Sequence, residues 1–189
     1  GNMIESTYYN ANGALSSKWI YKYDVQGNKI EQTEYNAEGS VNLKNIYKHD
    51  SRDRLIEHSG YNASDVLYFK LMRKYDAQGN VIEESHYSAK STVNGKNIYI
   101  RDNCGKLIEQ INYDANGALI NKIIHKYDAS GNKIEELEFN ANGSIGRKWI
   151  YKYNDRGNLM EEANFNANGS LYYKQVYKYD AEWNIIEEI

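Results

Sequence analysis
Eight glutamates at intervals of 26 residues are the first groups in this chain that could do chemistry: Glu5, Glu31, Glu57, Glu83, Glu109, Glu135, Glu161 and Glu187. A row of carboxylates can hold cations or sugar hydroxyls. A hydrolase would need one acid whose environment sets it apart from its partner. All eight stand in equivalent settings, so each is expected to accept a tyrosine hydroxyl or to pair with a basic side chain. The histidines His49, His58, His86 and His125 fall at four different points of the period, whereas a metal needs ligands that converge. Cys104, the one cysteine, stands where other copies carry Gln, Ser or Arg. It cannot form an intrachain disulfide, and no histidine at a neighbouring repeat position activates it as a nucleophile. The Asp-x-x-Gly-Asn segments lack the aspartate-rich spacing of calcium loops and read as turns. No catalytic residue, metal or cofactor is expected.

The aromatic residues offer a second kind of site. Trp19 precedes Tyr21 by two residues, and Trp149 precedes Tyr151 in the same way. Alternation along a strand puts each pair on one face, where such rings could stack on a sugar. Filling the apolar face of a sheet is the plainer role for them.

The elements that carry these residues follow from the period itself. A block such as Tyr21-Lys22-Tyr23-Asp24 recurs at Tyr47, Arg73, Tyr99, His125, Tyr151 and Tyr177 with no insertion or deletion. A fixed period over the whole chain means one supersecondary unit stacked on itself. Residues 2–189 therefore read as a single array of about seven repeats. Numbering each copy from Tyr21 as position one, two turns appear. Asp24-Val25-Gln26-Gly27-Asn28 is one, and Asn36-Ala37-Glu38-Gly39-Ser40 is the other. The leading Asx can bond its own backbone, and the Gly takes the left-handed conformation. Each repeat is thus strand, turn, strand, turn. The expected fold is all-β, an antiparallel meander of about 15 strands from 26-residue repeats, in a coiling or barrel-like single sheet. The absence of proline suits ladders that need every N–H.

Composition points the same way. Of 25 aromatic residues 19 are Tyr, and mean hydropathy is −0.82. A tyrosine-rich, polar chain suits a thin sheet with shallow burial. A net charge of −3 gives no basic footprint for nucleic acid. No apolar run approaches the ~18 residues of a membrane-spanning helix.

If position three pairs with nine and fifteen with twenty-one, one face carries Tyr at one, three and fifteen with the glutamate row at eleven. That tyrosine face is expected to be the buried or concave one. The other face then carries the lysines of positions two and twenty-four. Glu84 would face Lys96, and Glu136 would face Lys148. From turn to turn one strand type is two residues longer, which shifts the register by two residues per repeat. Two residues are about 6.6 Å along a strand against about 9.6 Å across two strands, a tilt of roughly 35°. Trp183 replaces the turn glycine of the last copy and is expected to end the array.

The segment Tyr127–Glu136, Tyr-Asp-Ala-Ser-Gly-Asn-Lys-Ile-Glu-Glu, resembles the YD repeats of bacterial Rhs and toxin-complex proteins. Their core is Tyr-Asp-x-x-Gly followed by a basic and an apolar residue. Residues 2–189 fit the pattern throughout. Asn28, Asn80, Asn132 and Asn158 depart from it, standing where the basic residue is usual. The resemblance implies a coiling β-sheet, which in that family can enclose a cargo. It implies the sheet here rather than the cargo role, since these residues hold no toxin domain or self-cleaving segment. The pattern is more distantly similar to choline-binding, clostridial-toxin carbohydrate-binding and MORN-type repeats.

The expected function is a non-enzymatic β-repeat scaffold or binding module of an exported or surface bacterial protein. Its partner would be a protein or a polysaccharide. The rival is a carbohydrate-binding module that uses Trp19, Tyr21, Trp149 and Tyr151. Exposed sheet ends allow edge-to-edge self-association. The opening Gly1-Asn2-Met3 reads as a tag remnant after loss of a signal segment, hence an extracytoplasmic location.

Overall fold
The computed structural model describes residues 1–89, 92–182 and 184–188, with backbone alone for Glu187 and Glu188. Trp183, and with it the expected end of the array, lies outside the described residues. The fold is all-β: fifteen antiparallel strands hydrogen-bonded in chain order. Two compact units divide the chain at Lys96 and Asn97. The first holds β1 (Glu5–Tyr9), β2 (Leu15–Tyr23), β3 (Lys29–Asn36), β4 (Val41–His49), β5 (Leu55–Asn62), β6 (Leu67–Tyr75) and β7 (Val81–Ser88). The division falls inside β8 (Val93–Arg101). The second holds β9 (Leu107–Asp114), β10 (Leu119–Tyr127), β11 (Lys133–Asn140), β12 (Ile145–Tyr153), β13 (Leu159–Asn166), β14 (Leu171–Tyr179) and β15 (Ile185–Glu188). β1 pairs with β2 and β15 with β14. Each leaves its other edge without a ladder partner among the described residues.

The turns form as their sequence dictates. Asp24 Oδ1 accepts the backbone N–H of Gln26 and of Asn28, at 3.1 and 2.8 Å, while its Oδ2 accepts Asn28 Nδ2 at 3.1 Å. The same clamp joins Asp76 to Asn80, Asp128 to Asn132 and Asp180 to Asn184. Asn at position eight thus does locally what Arg54 does for Asp50, where Nε donates to Oδ2 at 2.8 Å. Ten glycines, Gly39 among them, hold positive φ. Two aspartates also stand there, Asp53 at φ 61° and Asp65 at φ 57°.

A one-residue bulge beside the turn interrupts each ladder of β1–β7 and β9–β15. Tyr23 still faces Lys29, and Tyr35 faces Val41, as expected. Past the bulge the register slips, so Lys22 rather than Tyr21 faces Glu31, and Tyr21 faces Gln32. A slip of one residue moves side chains to the opposite face. The expected grouping is therefore corrected. The glutamates of position eleven share a face with the lysines of positions two and twenty-four and with Tyr35. Tyr21 and Tyr47 lie on the other face, with position twelve.

The two-residue stagger is present in both units. Trp19 faces Glu34, and Glu34 faces Leu43. The repeat equivalent of Trp19 is Asn45, two residues further on. In the second unit Ile123 faces Glu138, which faces Arg147, again two residues short of the equivalent Trp149.

The sheet encloses no ordinary core, and neither face is buried as a whole. Ala163 is the one buried hydrophobic residue among the described residues. Thr33, Ser59 and Ser85 are buried at the same repeat position. Thr33 lies between Ile20 and Lys44 across the ladders, and Ser59 between Ile46 and Lys70. A small side chain there lets its long neighbours close over it. The tyrosines of position three add a latch, the hydroxyl donating to a carbonyl 20 residues upstream. The bonds run from Tyr75 to Leu55, Tyr127 to Leu107, Tyr153 to Lys133 and Tyr179 to Leu159, at 2.7–3.0 Å.

The left-handed turn position separates backbone strain from packing. An added Cβ at Gly39 meets nothing within 4 Å, so Gly39→Ala should cost about 1–2 kcal/mol from φ alone. Asp65→Gly should be stabilising by a few tenths of a kcal/mol, up to about 1. Urea unfolding midpoints at equal m-value check both signs.

Candidate functional site
The glutamate row is locked, not open. Glu57 is shared by Lys48 on the preceding strand, 3.1 Å from Oε1, and Lys70 on the following strand, 3.2 Å from Oε2. Glu135 lies between Lys126 at 2.6 Å and Lys148 at 3.1 Å. Glu161 has Lys152 and Lys174, both at 2.9 Å, and Glu83 has Lys74 at 2.9 Å and Lys96 at 3.7 Å. Glu31 takes Lys22 at 2.7 Å and Thr33 Oγ1 at 3.3 Å. The basic partners follow from the bulge, which puts position two directly opposite position eleven. The anticipated pairs Glu84–Lys96 and Glu136–Lys148 are replaced for the same reason. Glu84 instead meets Arg73 at 2.8 Å, and Glu136 meets Lys133 at 2.6 Å and His125 at 3.1 Å.

These pairings set the titration of the row. Burial works to raise the Glu57 carboxyl, but the hydrogen bonds and charges of Lys48 and Lys70 prevail and hold it below its ordinary value. The Lys126 hydrogen bond leads the same downward shift in Glu135, and the Lys152 bond leads it in Glu161. At the turns, the Arg54 hydrogen bond lowers Asp50 to about 2.

On the opposite face, rings and cations alternate. Lys29 bonds Gln32 at 2.7 Å and lies over the Tyr47 ring at 4.8 Å from its centroid, with Tyr21 at 5.8 Å. Tyr47 stacks on His58 at 4.5 Å, and His58 meets the edge of Phe69 at 4.7 Å. Gly60 leaves the room for Phe69, because a Cβ there would collide with that ring. Burial, then the charges of Lys29 and Arg73, pull His58 below the ordinary histidine range. In the second unit Lys133 stands over Tyr151 at 4.9 Å. Burial opposes its charge, yet Glu136 keeps the Lys133 pKa raised.

Each aromatic pair chosen from the sequence occupies one face of one strand. Trp19 and Tyr21 lie in β2, where Trp19 faces Glu34 and Ser6, and the Tyr21 hydroxyl is 3.1 Å from Ser6 Oγ. Trp149 and Tyr151 lie in β12, where Trp149 faces Glu136 and Asn164, and Tyr151 faces Glu162. All four are half-buried. Burial raises the Tyr151 hydroxyl. The Lys29 and Lys133 contacts to these rings were not anticipated, although lysine at position nine in two copies with Gln or Glu three residues later was the available signal.

Cys104 is exposed in its turn. Among the described residues no three His, Cys, Asp or Glu side chains form a group able to hold a metal ion. Among the described residues no helix is long and apolar enough to cross a membrane.

No family model and no curated protein matches the chain. Among solved structures it is similar to a chain of the TcdB2-TccC3-Cdc42 crystal structure, at 16% identity and a TM-score of 0.44, covering 97% of this chain and 13% of that one. The Photorhabdus luminescens Tc holotoxin pore is similar at 15% identity and a TM-score of 0.43, with the same coverage. A porin-like protein from Bacteroides uniformis is similar at 6% identity and a TM-score of 0.46, covering 98% of this chain and 86% of that one. The chain thus spans only a small part of the toxin-complex chains.

A carboxyl held below its unfolded value lends stability above that value and loses it as pH falls through the folded one. Melting temperature should therefore fall as pH drops below the ordinary glutamate value of 4.5. Glu57→Gln should cost about 1–2 kcal/mol at pH 7 and flatten that acid slope, as its two lysines lose their shared charge. Thermal melts from pH 7 to 3 read both effects.

Proposed function
We propose that this chain is a non-enzymatic β-repeat scaffold or binding module of the YD-repeat type, from an exported or surface bacterial protein. The observation that carries the reading is the recurrent pairing of its charged columns with opposite charges. Each glutamate of the row from Glu5 to Glu161 meets at least one lysine, four of them two, and the turn aspartates close on their own backbone. Chemistry needs unlike groups aimed at one point, whereas this arrangement repeats one structural solution. The repeat's resemblance to YD sequences supports the assignment to an exported bacterial protein.

A scaffold whose stability comes from nearest-neighbour contacts tolerates loss of one whole copy. Deleting Glu31–Ile56, one period within the first unit, should keep the β-sheet circular dichroism and a cooperative melt, with a lower midpoint. Loss of all cooperative structure would contradict it.

The carbohydrate-binding alternative is favoured by one observation: Trp19 and Trp149 are half-buried, each beside a carboxylate, rather than sealed in a core. It predicts that a soluble glycan changes tryptophan emission and that Trp19→Ala and Trp149→Ala each weaken the response. An emission spectrum unmoved by a panel of glycans would remove this alternative.

A further inference from the structure
We propose that Asn116 is a self-modification site: its side chain closes on the backbone nitrogen of Gly117 to form a succinimide, which water opens to isoaspartate or aspartate. This chemistry needs neither the scaffold nor the binding role.

The second turn of the repeat carries Asn-Gly at positions eighteen and nineteen in four copies: Asn12-Gly13, Asn116-Gly117, Asn142-Gly143 and Asn168-Gly169. Both residues are exposed in each copy. The glycine nitrogen is adjacent in the chain to the carboxamide it attacks, and no side chain crowds it. The step balances with no reagent but water. A bond forms from Gly117 N to Asn116 Cγ, the nitrogen gives up its proton, and the Cγ–Nδ2 bond breaks to release ammonia. Water then adds to one of the two imide carbonyls. Opening at the backbone carbonyl leaves isoaspartate, with the chain running through Cγ. Opening at Cγ leaves aspartate.

The nucleophile is held alike in the four turns. Gly13, Gly117, Gly143 and Gly169 each donate N–H to the carbonyl of position sixteen, at 2.9–3.1 Å. The electrophile is held differently. Asn142 Oδ1 accepts the Ser144 N–H at 3.0 Å and the Ser144 hydroxyl at 2.6 Å, while Asn140 Nδ2 donates to that hydroxyl at 3.1 Å. Ser170 and Asn166 form the same relay around Asn168. Asn12 Oδ1 accepts the Ala14 N–H at 3.1 Å.

At Asn116 these tethers are missing. Position sixteen is Asp114 in that copy, and its Oδ1 takes the N–H of both Asn116 and Ala118, at 2.8 and 2.9 Å. Ala118 stands where Ser144 and Ser170 stand in their copies, and it has no hydroxyl to give. The Asn116 carboxamide makes no hydrogen bond to another described residue. It is free to rotate onto Gly117 N, whereas Asn142 and Asn168 must first break two bonds apiece. Two such bonds slow the rotation by about tenfold or more. Isoaspartate adds a backbone carbon to the turn between β9 and β10, and either product sets a second carboxylate two residues from Asp114. Both oppose the turn that fixes the β9–β10 register.

The test is incubation of the folded full chain in mildly alkaline water labelled with heavy oxygen, followed by peptide mapping and mass spectrometry. Asn116 should take up label first, about tenfold or more faster than Asn142 and Asn168. In urea, where no turn survives, the three rates should converge. The Asp114→Asn/Ala118→Ser double variant transfers the relay of Asn142 to this turn and should slow Asn116 to the rate of Asn142. Ser144→Ala removes the hydroxyl and should speed Asn142. Asn116 left unmodified in the folded chain, or modified no faster than Asn142 and Asn168, would overturn the proposal. Rates that stay apart in urea would assign the difference to local sequence and overturn it too. So would an undiminished rate at Asn116 in a double variant that melts as the wild type does.

Discussion
The slip of one residue beside the turns of β1–β7 and β9–β15 determines which side chains meet across these ladders. Without it, position eleven would lie opposite the tyrosine of position one. With it, Glu31, Glu57, Glu83, Glu135 and Glu161 lie opposite the lysine of position two and diagonal to the lysine of position twenty-four. The row then becomes an alternation of opposite charges instead of a stripe of carboxylates beside hydroxyls. Charge repulsion along one face is replaced by attraction, and the face can persist without a second layer of protein over it.

A single layer has little apolar area to bury, so stability has to come from elsewhere. Three short-range devices recur: the Asx clamp, the tyrosine latch to a carbonyl 20 residues upstream, and the small residue enclosed between an aliphatic side chain and a lysine. Each links a residue to its own turn or to a neighbouring strand. None depends on distant parts of the chain. That locality is why a 26-residue period can be kept with no insertion: an extra residue would break all three devices at once.

Much of this was legible in the residues. Asx at position four and Gly at position seven fix the turn, and period-two alternation fixes the strands between turns. The stagger of two residues followed from counting from turn to turn, because it depends only on how many residues separate the turns. The faces were not legible, because alternation predicts them only while the ladder is unbroken. A bulge is a conformational choice within the turn, and Asp24-Val25-Gln26-Gly27-Asn28 specifies the chain reversal more plainly than it specifies the extra residue beside it. The glutamate row was recognised at once, yet the lysines that hold it were assigned to the wrong side. For the aromatic pairs, alternation within one strand was enough, and Trp19 with Tyr21 shares a face because no bulge falls between them.

The asparagines of position eight show how a repeat can vary without disturbing its frame. The structural demand at that position is a donor to the carboxylate of position four. Asn28 and Arg54 both meet it, one with an amide and one with a guanidinium. Both also reach the next turn: Asn28 Nδ2 donates to Asp53 Oδ1 at 2.8 Å, and Arg54 Nη1 donates to the Asp76 carbonyl at 3.1 Å. Substitution there changes the relief of the edge while the turn, the ladder and the latch stay the same.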